Sequence, residues 1–159
     1  MKITILTVGK IKEKYFTDAI GEYVMRLSRF CKVEMVEVAV EKTPDGASDA
    51  QKVQILEKEG QRLLGRLPVN AYVAALAIDG KMMDSMEFSR QMERWNVNGV
   101  SHMVFVIGGS LGLSARVLEK ADIRLSFSKM TFPHQLMRVI LLEQVYRSFM
   151  IRSGSPYHK

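Results

Sequence analysis

Cysteine is nearly absent from this chain of 159 residues: Cys31 stands alone, so no internal disulfide can form. Its neighbours Phe30, Lys32 and Val33 offer no histidine to activate a thiol, and Cys31 reads as filler rather than as a nucleophile. Histidine is almost as scarce. His102, His134 and His158 are too scattered to suggest a zinc site, and no metal is expected. No stretch approaches the roughly 18 uncharged apolar residues of a membrane span. The opening Met1–Gly9 is apolar, but it is short, it alternates, and charge returns at Lys10, so it reads as a strand and not as an export signal. A cytoplasmic location and no membrane partner are therefore expected. Internal repeats and low-complexity segments are also missing.

Acidic residues are missing from one region in particular. Residues 124–159 hold Arg124, Lys129, Arg138, Arg147, Arg152 and Lys159 against the single acid Glu143, which accounts for most of the chain's net charge of +6. A second basic group, Lys10, Lys12, Lys14, Arg26, Arg29 and Lys32, lies near the start. Clustered cations favour a polyanion, because each neutralised phosphate releases counterions. Charge alone leaves RNA, DNA and anionic lipid open, as well as a simply solvated basic surface.

What is present is an ordinary globular balance, 47% hydrophobic and 25% charged, at a length that fits one domain over residues 1–159. Strand and helix patterns alternate along it. Ile3–Val8 is a β-branched run ending at Gly9. Phe16, Ile20, Tyr23, Val24 and Leu27 share one face of a helix over Lys12–Phe30. Val33–Val40 alternates as a strand with one wetter face, and residues 41–48 form a loop. Asp49–Leu67 predicts a second long helix closed by Pro68, and Tyr72–Ile78 a strand covered on both faces. Asp84 or Ser85 caps a short helix carrying Phe88, Met92 and Trp95. Met103–Ile107 predicts a central strand, and Ser114 caps a short helix through Lys120. A fifth strand spans Ile123–Phe127, and a last helix runs from about Pro133 to Ile151. This order implies an α/β fold with a mostly parallel sheet and helices on both faces.

The last helix is apolar around nearly its whole circumference. Leu136, Val139, Ile140, Leu142, Val145, Phe149 and Ile151 cannot all face one sheet, so a partner chain is expected and a homodimer is the simplest form.

Three segments carry chemistry. Gly108-Gly109-Ser110-Leu111-Gly112 follows a strand directly, where glycines let a ligand approach the backbone at the strand's carboxyl end. Its spacing is neither the dinucleotide fingerprint nor a P-loop. Leu125–His134 ends a strand in a small polar loop before a proline-started helix, offering main-chain groups to a planar heterocycle. Arg152-Ser153-Gly154-Ser155-Pro156-Tyr157-His158-Lys159 places Arg, Tyr and His together, residue types suited to phosphate, base stacking and proton transfer.

Taken together with the opening Ile3–Lys14 and the stretch Arg138–Arg147, these segments resemble the RlmH family of SPOUT-class methyltransferases over essentially the whole chain. Periodicity alone points to an unknotted sheet, whereas the resemblance implies a C-terminal trefoil knot and a dimer. It further implies transfer of a methyl group from S-adenosylmethionine to N3 of a pseudouridine in 23S ribosomal RNA, on the assembled ribosome. By the same resemblance Leu76, Gly108, Phe127, Ser128, Lys129, Met130, Thr131 and Phe132 line the cofactor pocket. His158 is then a candidate general base, since histidine titrates near neutrality. Tyr157 is placed to stack on or orient the base, and Arg152 to hold phosphate or steady the developing anion. His134, at the start of the last helix, is expected to be structural or to support the residues that contact the ligand. A non-catalytic ribosome-binding factor is the chief alternative, followed by a nucleotide-binding enzyme of another class.

Overall fold

The computed structural model describes residues 1–159. Its ten elements are β1 (Lys2–Val8), α1 (Lys14–Leu27), β2 (Lys32–Val38), α2 (Asp49–Leu64), β3 (Tyr72–Met82), α3 (Ser85–Val97), β4 (His102–Ile107), α4 (Ala115–Lys120), β5 (Ile123–Ser126) and α5 (His134–Arg152). The five strands form one sheet in the order β2-β1-β4-β3-β5, and every pairing is parallel. The α/β class expected from the alternation is the class observed.

Burial follows strand position. In β1 and β4 every residue from Ile3 to Val8 and from Met103 to Ile107 is buried, because central strands are covered on both faces and select apolar side chains on both. β2 sits at an edge, and its Lys32, Glu34 and Glu37 meet solvent there. The larger core lies on one face, where Leu27 of α1, Phe88, Met92 and Trp95 of α3 and Leu141, Leu142 and Val145 of α5 cover Ile3, Ile5, Met103 and Phe105. On the other face Leu63 of α2 and Val117 of α4 cover Leu6, Val8, Val104 and Val106.

Local signals explain where helices begin. Ser48 accepts from Gln51 N and Gln51 returns the bond to Ser48 N, a capping box that starts α2. Asp84, not Ser85, is the cap of α3, in a reciprocal pair with Glu87. Ser114 caps α4 through Val117 N at 3.3 Å.

β3 departs from expectation, running four residues past Ile78 to Met82. Leu125 of β5 pairs with Leu76 and again with Lys81, so residues 77–80 are looped out between two stretches of ladder. Gly80 lies hard against β5: a side chain there would come within 2.7 Å of the Arg124 and Leu125 main chain.

Two features of α5 bear on the sequence reading. One side is buried as a helix on a sheet is, while Leu136, Val139 and Ile140 stay half-exposed and outside the core. Arg138, counted above with the basic surface, is 1% exposed. It donates to Glu37 Oε2 at 2.7 Å and to the main-chain oxygens of Val8 and Gly9. A guanidinium so enclosed is a structural tie and contributes nothing to an anion-binding surface.

Candidate active site

A cleft of about 570 Å³, counting its open mouth, lies at the carboxyl ends of β3, β4 and β5, the region where open parallel sheets bind ligands. Three backbone stretches build it: Leu76–Ile78 as β3 leaves the sheet, Ile107–Gly112 after β4, and Leu125–Phe132 after β5, with His134 and Met137 of α5 closing one side.

The glycine turn is shaped by contact with itself. Gly109 bridges to Gly112, which takes φ +84°, a left-handed conformation natural to glycine. A Cβ on Gly108 would run into the Gly112 carbonyl. Beneath the turn lies Glu59 of α2, 4% exposed, whose Oε2 accepts the main-chain N–H of Glu41 at 3.0 Å. Burial pushes the Glu59 carboxyl up, opposed by that hydrogen bond and by Arg62.

The loop after β5 holds its own shape. Ser126 Oγ donates to Ser128 O at 3.0 Å, and Ser128 Oγ accepts from Met130 N at 2.9 Å. The amides of Phe127, Ser128, Lys129, Thr131 and Phe132 have no main-chain acceptor. A rigid loop with free amides, beside the apolar Leu76, Ile78 and Phe132, suits a flat nitrogen heterocycle. His134 adds an unpartnered Nδ1. Burial, and then the charge of Arg138, push the His134 imidazole down, so it is neutral near pH 7. This donor set fits a nucleoside-type group.

Of the eight cofactor residues expected from sequence, Leu76, Gly108, Phe127, Ser128, Met130, Thr131 and Phe132 line the cleft, while Lys129 points to solvent. Sequence reasoning marked Leu125 and Ser126 only as part of the Leu125–His134 segment, and did not single out Ala77, Ile78 or Met137. Their apolar and small side chains read as core; the looped-out ladder brings Ala77 and Ile78 to the rim, and the start of α5 brings Met137. His134, expected to be structural or to support the site, lines the cleft.

Tyr157 and His158 lie elsewhere. Tyr157 Oη donates to Glu143 Oε1 at 3.1 Å, its ring meets Tyr146 edge-on at 5.1 Å, and Arg147 covers one of its faces at 4.8 Å. Burial, then the Glu143 carboxylate, push the Tyr157 phenol up to about 12, so it remains a donor at neutral pH. His158 Nδ1 is 3.1 Å from Arg147 Nη1. Arg152 stacks on Phe149 at 5.2 Å and has no acidic partner. Met137, at the cleft, and Arg147 are separated by about 15 Å of helix, so within one chain the cleft and these side chains are apart. Cys31 is buried, and burial pushes its thiol up to about 11, which suits filler.

A family model described as "Predicted SPOUT methyltransferase" matches residues 1–158. The chain belongs to the SPOUT methyltransferase family. Within that family it groups with proteins named ribosomal RNA large subunit methyltransferase H. The relative from Bifidobacterium animalis subsp. lactis is 59% identical over the full length of both chains. Those from Streptococcus sanguinis and Enterococcus faecalis are 57% and 52% identical, again over all of both chains. A probable methylase family protein from Haemophilus influenzae shares the fold at a TM-score of 0.53 and 11% identity, covering 99% of this chain and 70% of that one. No helix of this SPOUT chain is long and apolar enough to cross a membrane.

Proposed function

We propose that this chain is an S-adenosylmethionine-dependent methyltransferase acting in the cytoplasm, as a homodimer, on N3 of a pseudouridine in the 23S RNA of assembled ribosomes. The observation that carries the reading is the cleft itself: a glycine turn that admits no side chain faces a loop with free amides at the carboxyl ends of three parallel strands. The names of the full-length relatives support large-subunit ribosomal RNA as the substrate.

When bound, S-adenosylmethionine supplies an activated methyl group. Leu76, Gly108, Phe127, Ser128, Met130, Thr131 and Phe132 would hold it, and neutral His134 would offer Nδ1 to a polar part of it. Alignment is then the protein's chief contribution, an effect of roughly 7–11 kcal/mol when reacting groups are held in line. The half-exposed Leu136, Val139 and Ile140 form the dimer contact in this reading. Two α5 helices packed antiparallel about a two-fold axis there set the Arg147 end of one beside the Met137 end of the other. Tyr157, His158 and Arg152 of one copy thus serve the cleft of its partner. Exposed Arg124, Lys129, Lys10 and Lys12, with Arg152, meet phosphate.

Titration calorimetry with S-adenosylmethionine, followed by labelled-methyl transfer to ribosomes from a strain lacking the gene and mapping of the modified nucleoside, tests the reading. Binding and a methyl group at N3 of one pseudouridine are expected. No affinity for the cofactor would leave the alternative of a non-catalytic ribosome-binding factor.

A further inference from the structure

Arginine has five N–H donors and no acceptor at any accessible pH. The 3.1 Å contact between Arg147 Nη1 and His158 Nδ1 therefore has one possible polarity: the guanidinium donates and Nδ1 accepts with its lone pair. A neutral imidazole with a bare Nδ1 carries its proton on Nε2. Arg147 is itself fixed from behind. Its Nε donates to Glu143 Oε1 at 3.0 Å and its Nη2 to the same oxygen at 2.6 Å, while Tyr157 Oη donates to that oxygen too. Glu143, Arg147 and His158 thus form a chain in which every member constrains the next.

The chain has the opposite sense to the familiar carboxylate–histidine pair. There a carboxylate takes the Nδ1 proton and leaves Nε2 bare, ready to act as a base. Here a cation stands where the carboxylate would be, and Nε2 is left as N–H. We infer that Arg147 is a positioning residue that fixes His158 in the Nε2–H tautomer, so that His158 serves the reaction as a hydrogen-bond donor to a nucleobase carbonyl and not as the general base. The inference rests on the methyltransferase reading above.

The chemistry calls for such a donor. N3 of a uracil-type ring lies between two carbonyl groups. When the N3–H bond breaks, the proton passes to solvent water, the electron pair stays on N3, and charge spreads onto both carbonyl oxygens. A donor already aimed at one of them favours that anion without reorganising. Tyr157 cannot take the proton, because its phenol is itself protonated and engaged with Glu143.

Full-length protein labelled with ¹⁵N-histidine tests the first half directly. Nitrogen–proton correlation spectra at neutral pH, with His158 assigned by its loss in His158→Gln, are expected to show Nε2 protonated and Nδ1 bare. Arg147→Met is expected to abolish that preference while His102 and His134 keep their signals, which shows an intact fold. A wild-type His158 with its proton on Nδ1 overturns the inference.

Methyl transfer to ribosomes tests the second half. His158→Gln keeps an N–H donor but has no basic nitrogen, so it is expected to stay within about tenfold of the wild type. His158→Ala, lacking a donor, is expected to fall by about 100-fold or more, as loss of one anion-stabilising donor does. Equal losses in the two variants, in a wild type that turns over, overturn the inference alone. A wild type that transfers no methyl group overturns the methyltransferase reading and this inference with it.

Discussion

Arg138 of α5 and Glu37 of β2 lie 101 residues apart in the chain and meet at 2.7 Å, with the arginine side chain 1% exposed and the glutamate 37%. The same guanidinium reaches the Val8 and Gly9 carbonyls at the end of β1. One side chain thus joins β1, β2 and the start of α5, the end of the helix that closes the cleft.

Removing that tie leaves two strand-end carbonyls and a carboxylate without their donor. Arg138→Met is therefore expected to lower stability by about 3 kcal/mol or more, in the range for breaking a buried pair from one side. Glu37→Gln is expected to cost less, since water reaches the glutamate. Urea denaturation of the two variants checks the order. A harmless Arg138→Met would mean the contact is not formed.

The glycine turn gives a contrast between two alanine substitutions. Gly108→Ala places a methyl against the Gly112 carbonyl and forces the turn open; S-adenosylmethionine affinity is expected to fall below detection by calorimetry. Gly21, inside α1, has nothing within 4 Å of its added Cβ. Gly21→Ala is expected to raise stability by about 0.5–1 kcal/mol through helix propensity alone, with cofactor affinity unchanged.

Glu59 makes stability depend on pH. Burial holds its carboxyl above the ordinary range of about 4.3 for glutamate. A group raised in the folded state favours folding while protonated, so its contribution is present below the unfolded value and is lost as pH rises through the folded one. Glu59→Gln does not titrate. The melting temperature of the variant is expected to gain on the wild type between pH 4 and neutrality, and parallel curves would refute this.

The dimer reading has its own test. Ile140→Asp sets a charge in the half-exposed stripe of α5 without touching the sheet core. Sedimentation is expected to show a dimer for the wild type and a monomer for the variant. Methyl transfer by the variant is expected to be lost. A fully active monomer would show that one chain supplies both the cleft and the residues around His158.

Much of this protein is local and was therefore readable in its sequence. All ten elements follow from local patterning, and the caps at Ser114 and at Asp84 or Ser85 were readable because a cap is a contact between residues three apart; Ser48 read only as loop. The glycine turn at Gly108 and Gly112 stood out by its own residues, whereas the loop from Phe127 to Phe132 was marked as a site only through the family resemblance. Contacts across the fold were not legible. Nothing within a few residues of Arg138 says that Glu37 lies beneath it, and an arginine on a helix reads as surface until the strand order β2-β1-β4 is known. The cleft position of His134, the outward Lys129 and the rim at 77–80 depend in the same way on which strands become neighbours. The tail is a shorter-range case: the sequence determined that a histidine stands at 158, but only the folded turn after α5 brings its Nδ1 back to 3.1 Å from Arg147, eleven residues earlier, where a guanidinium can only donate.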